Sequence, residues 1–297
     1  MKKALAGLVS IPLLFSLVVG CGTNATNPST SSPASSHETT LEKAKKQGYV
    51  SVGFANEKPY AYATPDGKLT GEAVEVARAV LKTMGIKQMN GVLTEFGSLI
   101  PGLNAKRFDM ITAGMYITPE RAKQVAFANP EYRVIEGFAV KKGNPLNLHS
   151  YEDIKNNPKA KIAVMGGAME YNYLLKSGVP KNQIEIVPDN PSALAALKAG
   201  RADAITMTSL SLEDLLKTAK DPSIEMVKDF KQPVIDGKSV ISYGATAFRT
   251  QDKDFLKAFD DGLNKLEKSG QLLQILEKFG FNKDNLPGNV TAAELSK

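Results

Sequence analysis

The chain has 297 residues, 42% hydrophobic and 23% charged, with one cysteine, two histidines and no tryptophan. Without the first twenty residues, which carry Lys2 and Lys3, it holds 35 basic against 31 acidic residues (37 minus 2, against 31). That excess of four is scattered along helix faces among acids and does not form the basic stripe of a nucleic-acid surface. A lone cysteine closes no intrachain disulfide, and His37 and His149 stand apart from other ligand types, so no disulfide framework, metal site or cofactor is expected.

Residues 1–20 begin with Lys2 and Lys3 and continue as an apolar run to Val19, the pattern of a secretory signal. The run is shorter than the roughly 20 apolar residues that span a bilayer. Leu17, Val18, Val19, Gly20 and Cys21 resemble a bacterial lipobox, which implies that Cys21 is lipidated and becomes the mature N-terminus. Residues 21–40 are mostly Ser, Thr, Asn, Pro and Ala, too poor in large apolar groups to offset their own ordering entropy. A flexible tether is expected there, with the working body starting near Leu41.

Along the body, 49–54 reads as a strand, and Val74, Val76, Ala77, Val80 and Leu81 form a helical stripe that stops at Gly85. A strand near 92–95, a helix through Leu99 and Leu103 and a strand over 109–113 follow. After Gly143, Asn144 and Pro145 the rhythm restarts, with Ser150 as a helix N-cap ahead of Glu152 and Asp153. Strands are expected at 162–165, 184–187 and 204–207, with helices over 168–176 and from an Asn190 cap with Pro191 to Gly200. Residues 140–143 and 242–248 read as extended crossings, and helices at 254–268 and 272–279 close the chain. The expected fold is α/β and two-lobed, with 142–242 as a second lobe inserted into a first made of 41–141 and 243–297. A cleft between the lobes, at strand C-terminal ends, is then the expected site.

Nucleophile chemistry has little to build on: there is no Gly-x-Ser-x-Gly elbow and no Cys–His pair. Gly237, Lys238 and Ser239 resemble the end of a phosphate loop, but Gln232 stands where its first glycine belongs. Thr118, Pro119, Glu120 and Arg121 read as N-cap, first helical residue and first turn. A cation in a first turn opposes the helix dipole, so Arg121 calls for a negative partner. Glu120, Asp109 or Glu131 would make it structural; a ligand carboxylate would make it functional.

Asn56 to Tyr60, Thr70 to Val76, Phe96 with Leu99 to Leu103, and above all 109–121 resemble the bacterial extracellular solute-binding proteins of family 3, the receptors of ABC importers. The resemblance implies a monomeric, extracytoplasmic receptor, held to the cell membrane by the lipid on Cys21. It would close over a small solute and deliver it to permease and ATPase subunits. It further implies that Arg121 binds the ligand carboxylate, that Tyr60 and Phe96 flank the ligand, and that Glu57 lies near its positive group.

Departures from the family pattern narrow the ligand. Tyr116, Ala168 and Thr208 stand where amino-acid receptors usually carry Ser, Thr and Asp, the groups that hold an α-ammonium. Losing the aspartate leaves a buried ammonium without its charged partner. Tyr116 with Tyr60 and Phe96 instead suits a delocalised cation. The pattern resembles the ectoine and hydroxyectoine receptors of the family and implies a small zwitterionic compatible solute, with an osmoprotective role. A polar or basic amino acid is the alternative, and a cyclic-acid dehydratase, with Glu57 as acid or base, a further one.

Overall fold

The computed structural model describes residues 38–297; the segment expected to be a signal sequence, Cys21 and most of the expected tether lie outside the described residues. The chain first lays down strands Tyr49–Phe54 (β1), Gln88–Leu93 (β2), Met110–Tyr116 (β3), Ala126–Phe127 (β4) and Tyr132–Val134 (β5). It then moves to a second sheet with Glu136–Lys141 (β6), Ile162–Met165 (β7), Ile184–Val187 (β8), Ala204–Thr208 (β9) and Ile224–Met226 (β10). Ser242–Phe248 (β11) returns to the first sheet, whose order is β2-β1-β3-β11-β4 with β5 also on β11. The second sheet runs β8-β7-β9-β6-β10.

Each sheet is parallel where βα units build it and antiparallel where the crossing strands join. β1 is parallel to β2 and β3, and β7 to β8 and β9. β11 is antiparallel to β3, and β6 to β9. All seven residues of β3 are buried, as expected of a strand covered on both faces. The helix Glu72–Thr83 packs Val76, Ala77, Val80 and Leu81 into the first lobe's core with Phe255, Phe259 and Leu263. Phe138, Tyr151, Ile162 and Val164 form a core of the second lobe.

The first crossing differs from the expectation at 140–143. The chain changes sheets at Ile135, because Glu136–Lys141 pairs with β9 and β10 and belongs to the second sheet. The second crossing falls at Val240 and Ile241, and 242–248 is a full strand of the first sheet. Asp189, and not Asn190, caps the helix Asn190–Lys198, its side chain accepting from Ser192 N at 2.7 Å. No helix among the described residues is long and apolar enough to cross a membrane.

The first lobe also buries an acid pair. Glu72 is fully buried and neither carboxyl oxygen has a partner; Glu131, equally buried, accepts from Thr246 N at 2.9 Å and Thr246 Oγ1 at 2.6 Å through one oxygen only. Burial and then the charge of Glu131 push Glu72 well above the carboxylate range, and burial pushes Glu131 up to about 7 against its two hydrogen bonds. An acid raised in the folded state stabilises below its unfolded value and loses that contribution as pH rises through the folded one. The melting temperature is therefore expected to fall between pH 5 and pH 8. Glu72→Gln should raise it at pH 8 by several degrees, at about 2–4 °C per kcal/mol for a domain of this size. A melting temperature flat in pH, or lowered by the substitution at pH 8, would refute the pair as a source of strain.

Candidate functional site

The parallel strands of both sheets aim their C-terminal ends at one cleft, and the side chains that line it sit within a few residues of those ends. Glu57 and Tyr60 follow β1, Phe96 follows β2, and Arg121 follows β3; Ala168 and Glu170 follow β7, Asn190 follows β8, and Thr208 ends β9. The cavity they line is nearly shut, with about 20 Å³ open to the centre of a water-sized sphere, room for little more than a water. Tyr116, Met165, Met169 and Met207 complete much of its wall. All seven residues expected from the sequence, Glu57, Tyr60, Phe96, Tyr116, Arg121, Ala168 and Thr208, line this one cavity.

Arg121 is placed by its cap. Thr118 Oγ1 accepts from Arg121 N at 3.2 Å at the head of a one-turn helix, Pro119–Ala122. The guanidinium donates from Nη1 to Tyr116 O and from Nη2 to Gly167 O, both at 2.9 Å, and lies 5.5 Å from the centroid of the Phe96 ring. None of Glu120, Asp109 or Glu131 forms an ion pair with it; among the described residues Asp109 faces Arg249. Two of the five guanidinium donors are thus engaged by carbonyls and three remain. Burial lowers its pKa and Glu170 opposes that shift.

The three aromatic residues occupy different situations. Tyr60 stacks on Tyr132 at 5.1 Å and meets Phe281 edge-on, while Gly114 is close enough that an added Cβ would lie 2.6 Å from its ring. Phe96 packs in the core with Leu99 and Leu103 and lies against Arg121. Among the described residues Tyr116 has no aromatic stacking or cationic partner, and its hydroxyl is buried without a hydrogen bond, but it belongs to the same core cluster as Tyr60 and Tyr132. All three rings line the cavity, and all three are also packed in the core.

Acidity distinguishes the cavity. Glu57 Oε1 accepts from Asn190 Nδ2 at 3.0 Å, and the single Ser211 hydroxyl proton is shared between Glu57 Oε1 at 3.0 Å and Lys58 O at 2.7 Å. These bonds join the lobes. Burial first and Glu170 second push the Glu57 carboxyl up to about 7, against Ser211, Asn190 and Arg121. Glu170 is 3% exposed and Glu136 1% exposed, and the two are close enough for the charge of Glu170 to act on Glu136. Glu136 Oε1 accepts from Ser242 Oγ at 3.2 Å, its other oxygen has no donor, and burial with the charge of Glu170 holds it well above the carboxylate range.

Sequence reading did not single out Asn190, Ser211 or Glu136 as site residues. For Asn190 and Ser211 a signal existed: each lies three residues beyond a strand end, as Glu57 and Phe96 do. Glu136 carried no such signal, because it opens a strand that looked like linker.

Comparison with known proteins gives one consistent result. Residues 50–283 match the bacterial extracellular solute-binding proteins, family 3. A probable amino-acid ABC transporter periplasmic-binding protein of Sinorhizobium fredii is 41% identical over 255 residues, 85% of this chain and 82% of that protein. The crystal structure of EhuB in complex with hydroxyectoine superposes with a TM-score of 0.81 at 38% identity, covering 88% of this chain and 98% of that one. An ancestral amino acid-binding protein, a precursor of cyclohexadienyl dehydratase, reaches a TM-score of 0.71 at 28% identity, over 81% and 99% of the two chains.

Proposed function

Because this chain belongs to the bacterial extracellular solute-binding proteins of family 3, an ABC-importer receptor family, we propose that its solute is a small zwitterion, ectoine or hydroxyectoine. The observation that carries this reading is the pairing inside one cavity of Arg121, with three donors left over, and of Glu57 and Glu170 on the acidic side. A carboxylate on the guanidinium and a cation on the acids satisfy both poles. The likeness to the hydroxyectoine-bound EhuB structure supports the same ligand class. In this reading Tyr116 supplies a ring to the delocalised cation, Tyr60, Phe96, Ala168 and Thr208 shape the walls, and the protein acts as a monomer, anchored through lipid on Cys21, with no catalytic step.

An amino acid is the second reading. Glu170 returns to the second lobe the acid that Thr208 withholds, and a neighbouring cavity, with about 210 Å³ open to the centre of a water-sized sphere, shares Glu57, Met165 and Asn190 and leaves room for a longer side chain. The relative in Sinorhizobium fredii is described as a probable amino-acid receptor.

Titration calorimetry with ectoine, hydroxyectoine, glycine betaine, glutamine, histidine and arginine separates the two. Tight one-to-one binding of the ectoines alone is expected, weakened by Tyr116→Ser about 3- to 30-fold, the worth of one good cation–π face. Tight binding of an amino acid with none for the ectoines would replace the first reading by the second.

A further inference from the structure

Glu170 is a buried acid to which, among the described residues, no protein donor makes a hydrogen bond. It sits in the first turn of the helix Met169–Lys176, is 3% exposed, and lines the cavity opposite Glu57. Arg121 is near enough to feel its charge, yet no ion pair joins them, and the guanidinium points its two bonded nitrogens at carbonyls. Buried carboxylates without partners are costly, so such a group is expected to meet a donor in the working state.

The groups around it point the same way. Glu57 has both of its donors, Asn190 and Ser211, on Oε1, which leaves Oε2 without a protein donor. Glu136 stands behind Glu170 at the first crossing, fixed by Ser242 Oγ on one oxygen and by Gln232, which pairs with its backbone N–H and C=O at 2.9 and 2.8 Å. Its remaining oxygen is buried and has no donor. A cation brought among these acids by the ligand would give them the partner that the protein does not supply.

We propose that Glu170 is the second-lobe acceptor for an N–H of the ligand's cationic group, so that the receptor requires a cation bearing N–H donors. The proposal rests on the zwitterion reading for its site, though not on which zwitterion is bound. An amidinium offers two N–H groups, one for Glu57 and one for Glu170. An α-ammonium offers three. A quaternary ammonium offers none and leaves both acids unpaired, the situation in which a hydrogen-bonding site discriminates most strongly.

The test is calorimetry on the purified protein and on Glu170→Gln with ectoine, glutamine, arginine and glycine betaine, alongside melting of the ligand-free proteins. The tightest N–H cation is expected to bind Glu170→Gln about 10- to 100-fold more weakly than wild type, the range for a hydrogen bond to a charged group. Glycine betaine, already weak, should change by less than about threefold. If ectoine fails to bind while glutamine binds and weakens on substitution, the ectoine reading falls and the role of Glu170 stands. If the best N–H cation binds both proteins equally, or if glycine betaine binds wild type best, the role of Glu170 is overturned whichever solute is native. Should Glu170→Gln not melt cooperatively, Glu170→Asp takes its place: a retained preference for N–H cations supports the proposal and a lost one overturns it.

Discussion

Arg121→Ala is expected to weaken ectoine binding at least about 100-fold, the range found when one partner of a buried charged pair is truncated. The guanidinium is the cavity's single cation among its lining residues, and it is already oriented by carbonyls from both lobes, Tyr116 O and Gly167 O. The ligand carboxylate therefore meets a pre-set fork and little side-chain entropy is lost on binding. Arg121→Lys should recover only part of the affinity, since a single ammonium cannot hold two carbonyls and a carboxylate in one plane. Calorimetry on both variants checks this. Affinity for Arg121→Ala within threefold of wild type would remove the carboxylate clamp from the proposed mechanism.

The second large effect is expected from a glycine. Gly167, at φ +83°, follows β7 in the second lobe, and a Cβ built on it would lie 2.5 Å from Gly97 Cα in the first. Gly97 belongs to the short turn Phe96–Ser98, so the obstruction is backbone against backbone and no side-chain rotation relieves it. Gly167→Ala should hold the lobes apart and pull Gly167 O away from Arg121. Ligand binding is expected to weaken by about 100-fold or more, several kcal/mol of lost closure contacts. The fold itself loses only the left-handed strain of one alanine, about 1–2 kcal/mol. Small-angle scattering with and without ectoine reads closure directly, beside a thermal melt. A variant that compacts and binds like wild type would show that the two glycines are not in contact in the liganded receptor.

The sequence made the βα rhythm readable because turn residues bound short apolar runs. Tyr49–Phe54, Ile162–Met165, Ile184–Val187 and Ser242–Phe248 have the limits expected of them. Position after a strand end pointed to Arg121, whereas Tyr116 and Ala168 were marked only by departures from the family pattern that the chain resembles. What stayed hidden is burial decided from a distance. Glu72, Glu131, Glu136 and Glu170 are each 3% exposed or less, yet glutamate is ordinarily a surface residue and no local pattern marks these four. The first crossing lies at Ile135 and not at 140–143, because the sheet a strand joins is decided by its partners, here β9 and β10, and not by a local extended pattern. The aromatic cage was overdrawn similarly: Tyr132 and Phe281 stack against Tyr60 from 72 and 221 residues away in sequence (132 minus 60, 281 minus 60), a partnership that only the fold reveals.

Ile135 and Ile241 lie at the two places where the chain passes between sheets, and both are substantially exposed, 45% and 48%. So slight a connection offers little resistance to rotation, and the closed arrangement depends on bonds across the cleft: Asn190 and Ser211 to Glu57, Ser211 to Lys58 O, Arg121 to Gly167 O. At about 1 kcal/mol each, three such bonds, with the Ser211 proton shared between two acceptors, would be enough to shut the receptor around nothing. Glu57 accepts in two of these contacts, and burial in the cleft, with Glu170 second, pushes its carboxyl up to about 7, so at neutral pH an unloaded closure works against its own latch. A solute cation placed beside Glu57 removes that opposition. The same residue thereby checks the cargo and secures the door, which lets a transporter that senses only lobe position distinguish a full receptor from an empty one.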